Sequence, residues 1–575
     1  MHLITHTTRI SPIEMSVRII IVVLLVSTVG VGVQGGAQEQ RSYGGRTAAQ
    51  KSTQDGDREH AVLLVSFDGF RWDYLDRKEA TLPNMRRIAE ETGVRSEMHN
   101  QFITKTFPNH WTLVTGMYEE SHGIVSNNFY DPTFDAFFST RRSAQSEWWD
   151  LGAAEPIWIT AEKQDVRTAT FFWPGSEVAI GGLRPSIYIA YNESVPYIER
   201  VDTVLDWLDG KMGRATLAET KPRFVTLYFE SPDTEGHKYG PDAPEMVDVL
   251  EMCDMLVERL MNGLEERGLR NRTDVIILSD HGMSRQYPDE KNATIYLEDY
   301  VSASLFDIVD YSPVVALKPR VTSSAANATQ QVAREIFESL HGKHPNMSVY
   351  HRRGSIGSDM DTPELGLMPE RLHYEDNDRI MPVLAVADTG WLIEHTRNDT
   401  FKRPKGEHGF DPKSREMRPF FLATGPSFKR GAGTFEMFDN VDIYPLMCTL
   451  LNITPSPNNG SLSSNVVDML IAPPPVDILP PKMEAADDDD DDDDEGSVST
   501  TSDSNATTGS GKGVAGFIGF FFGIVVAALI VFLLYAKFGK IRFGKSSRVA
   551  MSAFDDVKDN PLQSVPLSPV ESIEF

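Results

Sequence analysis

The run AVLLVSF at 61–67 carries no charge, has its only polar side chain at Ser66, and stops at Asp68 and Gly69. A strand open to water on one side alternates apolar with polar residues. An unbroken, β-branched apolar run instead predicts a strand covered on both faces, the condition of a parallel sheet between layers of helices. Related runs recur at RFVTLYF (223–229), DVIILS (274–279), VLAVAD (383–388) and PFFLATG (419–425). Between them, LPNMRRIAEETG (82–93) reads as a helix with Pro near its first turn and Gly93 as its stop. Met246, Val249, Cys253, Leu256, Leu260 and Leu264 recur at helical spacing. Strands alternating with helices predict an α/β domain with a largely parallel central sheet flanked by helices.

Two other apolar segments set the expected topology. Residues 19–33 follow Arg9 and Arg18 and lead into Gly35, Gly36 and Ala37, which reads as a signal peptide over 1–36. An uncleaved signal anchor is the alternative, although the run is short for a membrane span. Residues 513–536 contain no charged residue and are long enough to cross a bilayer as a helix. Lys537, Lys540, Arg542, Lys545 and Arg548 follow, so the tail 537–575 is expected in the cytoplasm, its partner unspecified. Residues 37–59 read as a linker, 60–470 as the folded domain, and 471–512 as a stalk. The stalk combines Pro-Pro pairs, eight consecutive Asp at 487–494, and a Ser/Thr/Gly stretch, a composition with too little apolar area to offset chain entropy. Sequons at Asn192, Asn271, Asn292, Asn327, Asn346, Asn398, Asn452, Asn459 and Asn505 all fall between the two apolar segments, as expected of a glycosylated ectodomain.

The formal net charge is −28, and the Asp run supplies over a quarter of it. Without a basic stripe, binding to a nucleic-acid duplex is not expected, and an anionic substrate must be drawn in by local charge such as a bound metal. Only Cys253 and Cys448 are available for a disulfide, and a domain of this size can hold together by its core alone, so paired and free thiols both remain open.

In open α/β sheets, sites form beyond the C-terminal ends of the strands. Asp68 follows the first strand, Asp233 and His237 follow the second in SPDTEGH, and Asp280 with His281 follow the third in SDHGM; His408 lies in the later loop GEHGFD. A single strand-end Asp is most often a turn residue. Carboxylate and imidazole gathered at successive strand ends, without cysteine, suit zinc or another borderline divalent ion. Thr106 precedes Phe107, Pro108 and a helical pattern. By itself that is what a helix N-cap looks like; beside a metal pair it is a nucleophile at a helix N-terminus, where free amides stabilise phosphate charge.

The stretches SFDGFR, TKTFPNHWTLVTGMYEESHGIVSNNFYD, FWPGSE, YNESVPYIERV, SPDTEGHKYGP, SDHGM and GEHGFD occur in this order. Together they resemble the ectonucleotide pyrophosphatase/phosphodiesterase family of the alkaline-phosphatase superfamily, over roughly residues 60–465. The chain looks like its short, C-terminally membrane-anchored type. The resemblance implies an alkaline-phosphatase-like fold and two Zn2+ ions. One would be held by Asp233, His237 and His408, the other by Asp68, Asp280, His281 and the Thr106 oxygen. It also implies that Asn127 binds a phosphate oxygen, and that Phe107, Trp173 and Tyr191 line a nucleotide or head-group pocket near Glu177. Lys105 would reach a distal phosphate or simply be solvated. This sequence departs from the family pattern at Glu177 and Ser126, where many relatives have Asp, and at Ser231, where many have Glu.

What the resemblance implies is an extracellular enzyme that forms a phosphothreonine on Thr106 and cleaves nucleotide phosphodiester or phosphoanhydride bonds, such as those of dinucleoside polyphosphates or NAD. Choline phosphodiesters are the alternative substrate class, since the same aromatic side chains would cage a quaternary ammonium. A surface receptor with little catalysis is the alternative from another class. A sulfatase would need a modified Cys or Ser nucleophile, for which Cys253 and Cys448 lie in no suitable motif.

Overall fold

A computed structural model describes residues 60–473, apart from 151–153, 213–214, 217–220, 288–292, 324, 326 and 398–402. The expected signal peptide, linker, most of the stalk, membrane span and tail lie outside the described residues, as do Asn292, Asn398 and Asn505. Among the described residues, no helix is long and apolar enough to cross a membrane.

The frame is an eight-stranded sheet with β1 (Ala61–Phe67) near its middle. Its other strands are β2 (Val94–His99), β3 (Thr168–Phe171), β4 (Ile187–Ile189), β5 (Phe224–Phe229), β6 (Thr273–Leu278), β11 (Phe420–Thr424) and β12 (Phe438–Asp439). They lie in the order β12-β2-β11-β6-β1-β5-β3-β4. β1 runs parallel to both β6 and β5, pairing Leu64 with Ile276 and with Thr226. Its side chains alternate between two cores. Val62 and Leu64 enter the one that holds Trp111, Trp158 and Leu446, whereas Leu63, Val65 and Phe67 enter the one that holds Leu205, Cys253 and Leu260. Burial on both faces is why the run has no polar face.

The sheet is mixed, not parallel throughout. β11 is antiparallel to both β6 and β2. The chain leaves β6 at its C-terminal end, makes a long excursion over 280–418, and returns at that same end. β11 must therefore run back the other way. The run at 383–388 is also not part of this sheet. It forms β10 (Val383–Ala387) of a separate four-stranded antiparallel sheet with β7 (Phe306–Asp310), β8 (Val314–Pro319) and β9 (Met347–His351), in the order β7-β8-β10-β9. Its alternate residues Val383 and Ala385 pack with helix α6 (Ala328–Leu340), while Leu384 and Val386 join the core of the main domain. A central position in that small sheet accounts for the strand's unbroken apolar pattern.

Helices α1 (Pro83–Arg87), α3 (Tyr197–Leu208) and α5 (Met246–Glu266) share one face of the main sheet. Helices α2 (Thr106–Thr115) and α7 (Ile443–Leu451) share the other. Cys253 on α5 and Cys448 on α7 are buried in these opposite cores as free thiols.

Helix α1 starts after Leu82, which offers no capping side chain. Asp254 of α5 takes over that task. Its carboxylate accepts the Asn84 and Met85 amides at 3.1 and 2.8 Å and the Asn84 side chain at 2.8 Å. Asp254→Ala strands those donors, so it is expected to lower stability by about 2 kcal/mol, with Asp254→Asn costing less, in chemical denaturation of the purified protein.

Candidate active site

Each ligand candidate is placed by the end of a sheet strand or by the returning excursion. Asp68 directly follows β1 and its amide donates to Phe229 O, tying the ends of β1 and β5 together. Gly69 turns the chain with φ +68°, and a Cβ there would sit 2.9 Å from Asp233 Cβ, so only glycine lets the two acids approach. Asp233 and His237 stand one turn apart on the short helix α4 (Asp233–Tyr239), with Oδ2 and Nε2 separated by 3.4 Å. Asp280 and His281 follow β6. His408 arrives on the loop that closes the excursion, its Nε2 lying 3.6 Å from Asp233 Oδ1.

The structure brings these side chains together as two triads, Asp233–His237–His408 and Asp68–Asp280–His281, with the ligand atoms of each within 4.8 Å of one another. His281 Nε2 lies 3.0 Å from Asp280 Oδ2 and 3.3 Å from Asp68 Oδ1, and its ring stacks on that of His408 at 3.5 Å. In all three histidines the other nitrogen meets a main-chain carbonyl. Nδ1–H of His237 donates to Gly406 O, that of His281 to Gly282 O, and that of His408 to Thr104 O, at 2.9, 2.8 and 2.9 Å. A carbonyl has no proton to give, so each ring carries a proton on Nδ1 and turns Nε2 toward the cluster.

The electrostatics describe a place built for positive charge. Burial first, then Asp280 and Asp233, push the Asp68 carboxyl well above its ordinary range. Burial also acts against Asp280, but His281 and His110 more than offset it and hold that carboxyl well below the usual value. His408 is held well below by burial and by its neighbours His281 and His237. Among the described residues, nothing donates a hydrogen bond to Asp68 Oδ1. Buried carboxylates crowded against oriented imidazoles fit divalent metal ions, and an Asp/His donor set without thiolate fits zinc.

Thr106 faces this centre. Its Oγ1 is 3.3 Å from His281 Nε2. Lys105, extended at φ −116° and ψ 164°, occupies the capping position of α2, and Thr106 is already helical. His110, one turn on, donates from Nδ1 to Thr106 O at 2.8 Å and accepts at Nε2 from Ser66 Oγ at 2.9 Å. Asn127 Oδ1 accepts the Phe107 amide at 2.9 Å, while its Nδ2 is buried without a hydrogen-bond partner among the described residues.

The aromatic wall is more layered than its sequence suggests. Tyr191 is 43% exposed, and Phe107 is partly open, with its ring 6.0 Å from those of Phe138 and Trp149. Trp173 is buried, its ring 4.9 Å from that of His110 and its Nε1 donating to His110 O. Glu177 accepts the Tyr191 amide at 3.3 Å. Lys105 is also buried, its ammonium 2.9 Å from Asp310. Of the sequon residues, Asn192, Asn271, Asn327 and Asn452 are exposed and Asn346 is partly exposed. Asn459 is partly buried, with its side-chain oxygen accepting the Tyr118 amide.

Sequence reasoning missed Glu230, Arg200, Tyr228 and Asp310. Glu230 is itself a strand-end carboxylate, so the criterion that found Asp68 would have found it. It accepts the Tyr191 hydroxyl at 2.8 Å and pairs with the fully buried Arg200 at 2.8 Å. Arg200 also donates to Tyr228 O, and the Tyr228 hydroxyl donates to Asp68 Oδ2 at 2.7 Å. Nothing in a helical ERV signals a buried arginine.

The chain matches the model of the type I phosphodiesterase/nucleotide pyrophosphatase family over residues 62–411. It belongs to that family. It is a hydrolase of the nucleotide pyrophosphatase/phosphodiesterase class. It is 39% identical over 404 residues to the bis(5'-adenosyl)-triphosphatase of Xenopus laevis, covering 70% of this chain and 80% of that protein. With ectonucleotide pyrophosphatase/phosphodiesterase family member 5 of Homo sapiens it shares 38% identity over 412 residues, 71% of this chain and 78% of that one. Among solved structures it is similar to an inactive form of the murine ectonucleotide pyrophosphatase/phosphodiesterase 5 in complex with AMP. That match has a TM-score of 0.62 and 37% identity, and covers 72% of this chain and all of that one. The alkaline-phosphatase-like fold is thus that of the phosphodiesterase family, with its large mixed sheet.

Removing Glu230 from this family member leaves Arg200 buried without its anion. Glu230→Ala is expected to cost roughly 3 kcal/mol of unfolding free energy, whereas Tyr191→Phe, which removes a half-exposed hydroxyl, costs under about 1 kcal/mol. Denaturant titration of the two variants checks the contrast.

Proposed function

We propose that the chain is an extracellular, zinc-dependent phosphodiesterase and pyrophosphatase that cleaves nucleotide phosphodiester or phosphoanhydride bonds through a phosphothreonine. The observation that carries this reading is the hydroxyl of Thr106 facing His281 Nε2, with both metal-binding triads beside it. Two divalent ions held by Asp233, His237 and His408 and by Asp68, Asp280 and His281 would supply Lewis acidity and neutralise phosphate charge. The chain's own groups do the rest. Thr106 Oγ1 gives up its proton and forms a bond to phosphorus as the bond to the first leaving oxygen breaks, the proton passing to that oxygen or to solvent. Water then cleaves the Oγ1–phosphorus bond, returning a proton to Oγ1 and releasing the second product. Asn127 Nδ2 donates to a non-bridging oxygen, and the N-terminus of α2 faces the same charge. His110 holds the Thr106 carbonyl and so the direction of attack.

Phe107 and Tyr191 offer aromatic faces on which a base would stack. That one relative is a bis(5'-adenosyl)-triphosphatase and that the murine one forms a complex with AMP support nucleotides over choline esters. Chelation should abolish hydrolysis of a chromogenic phosphodiester and zinc should restore it. Thr106→Ala should lose about a thousandfold or more in kcat while remaining folded, and Thr106→Ser should keep part of the rate. Turnover of Thr106→Ala near the wild-type rate would remove the mechanism. Competition among a diadenosine polyphosphate, NAD and a lysophosphatidylcholine should favour the first two.

The order of sequence features supports a type I arrangement at the plasma membrane, with a signal peptide read over 1–36, the domain over 60–470, a stalk over 471–512, a span over 513–536 and a cytoplasmic tail over 537–575. Exposed Asn192, Asn271, Asn327 and Asn452 would carry glycans. On intact cells, an antibody to the catalytic domain should stain and one to residues 549–575 should stain only after permeabilisation. Protease added outside should cut within the stalk first and release active enzyme. Staining of the tail on unpermeabilised cells would reverse the topology.

A further inference from the structure

We propose that Asp310, carried by the small sheet, is a positioning residue for the attack, holding the Thr106 loop and the Asn127 loop in register through one carboxylate. Asp310 is the last residue of β7 and is 2% exposed. Its Oδ2 accepts the Lys105 ammonium at 2.9 Å and the Ser126 hydroxyl, and its Oδ1 accepts the Asn128 side-chain amide at 3.3 Å and the Tyr311 amide at 3.0 Å. Lys105 immediately precedes Thr106. Ser126 and Asn128 stand on either side of Asn127. The two loops also touch each other directly, since Asn127 Oδ1 accepts the Phe107 amide. One carboxylate therefore fixes the chain on both sides of Asn127 and directly before Thr106, without touching either metal-binding triad.

This arrangement has a physical consequence for rate. An ångström of misplacement between an attacking atom and the group that stabilises charge costs on the order of a hundredfold, far more than it costs in ground-state binding. The Lys105–Asp310 pair is buried on both sides, at 1% and 3% side-chain exposure, so its ionic arm is little weakened by solvent or salt. The small sheet is itself anchored on the main core through Val309, Val314 and Leu384, which gives the carboxylate a fixed base. Lys105 then serves to orient the loop, not to meet a distal phosphate, and Ser126 supplies the second arm.

The inference rests on Thr106 being the nucleophile, and the experiment separates the two. Steady-state kinetics of the intact protein on a chromogenic phosphodiester are compared for wild type, Thr106→Ala, Asp310→Asn, Lys105→Met and the Lys105→Met/Asp310→Asn double variant. Metal content and thermal melting are measured on each. Asp310→Asn should lower kcat per metal-loaded, folded chain by about 10- to 100-fold, with KM within about threefold of wild type. The double variant should be no slower than the slower single, because both changes cut the same tether. If Asp310→Asn does not fold, Lys105→Met and Ser126→Ala, each removing one arm, must show the same split of kcat from KM. Wild-type activity that depends on Thr106 but is within about twofold in Asp310→Asn overturns this inference alone. So do losses that multiply in the double variant, or a loss explained wholly by lower metal content. Activity indifferent to Thr106 overturns both.

Discussion

The structure depends on holding acids and imidazoles together at one end of a sheet, out of water. Asp68, Asp233, Asp280 and His408 are each at most 4% exposed. Burying like charges this closely is unfavourable, and Asp68, pushed up by burial and by its acidic neighbours, registers the strain. The arrangement persists because the surrounding frame over-determines it. β1, β5 and β6 are adjacent and parallel, so their C-terminal ends open side by side. The Asp68 amide is bonded to Phe229 O, and each histidine is held by a carbonyl. The charge repulsion of the cluster is thus fixed in advance by backbone hydrogen bonds, which suits it to cations.

Around that centre, Tyr191 and the Asp/His cluster are mechanically joined. Arg200 lies inside the protein with its guanidinium 4.8 Å from the Phe172 ring and 4.7 Å from the Tyr197 ring. It binds Glu230, which holds the Tyr191 hydroxyl, and it binds Tyr228 O, in the residue whose hydroxyl reaches Asp68. Tyr191 is therefore not on an independent loop. Its position is set by Glu230, at the same strand end that leads into Asp233. The small sheet plays a comparable part on the opposite side, where β7 delivers a carboxylate to the loops that flank Thr106 and Asn127.

The long excursion between β6 and β11 explains why one domain contains both devices. It leaves and re-enters at the site end of the sheet, so everything it carries is delivered there, including the small sheet and His408. The reversal of β11 is the geometric consequence. In this respect the family's fold uses an insertion to complete a site that the parallel strands begin.

Much of this was legible in the sequence. Burial on both faces leaves an unbroken apolar run, so β1, β5 and β6 were readable to within a residue, and α5 was readable from its spacing. Strand-end acids follow from the general placement of sites in parallel sheets, which is why Asp68, Asp233, His237, Asp280 and His281 stood out. Tertiary structure alone decided the remainder. VLAVAD looks the same whether buried in a large parallel sheet or a small antiparallel one, because local pattern records burial and not neighbours. Whether Thr106 caps a helix or faces the Asp/His cluster depends on His281, 175 residues away. Lys105, Arg200 and Asp310 are charged residues whose burial nothing in the local sequence signals. Only the chain's fold supplies each with its opposite charge and makes burial possible.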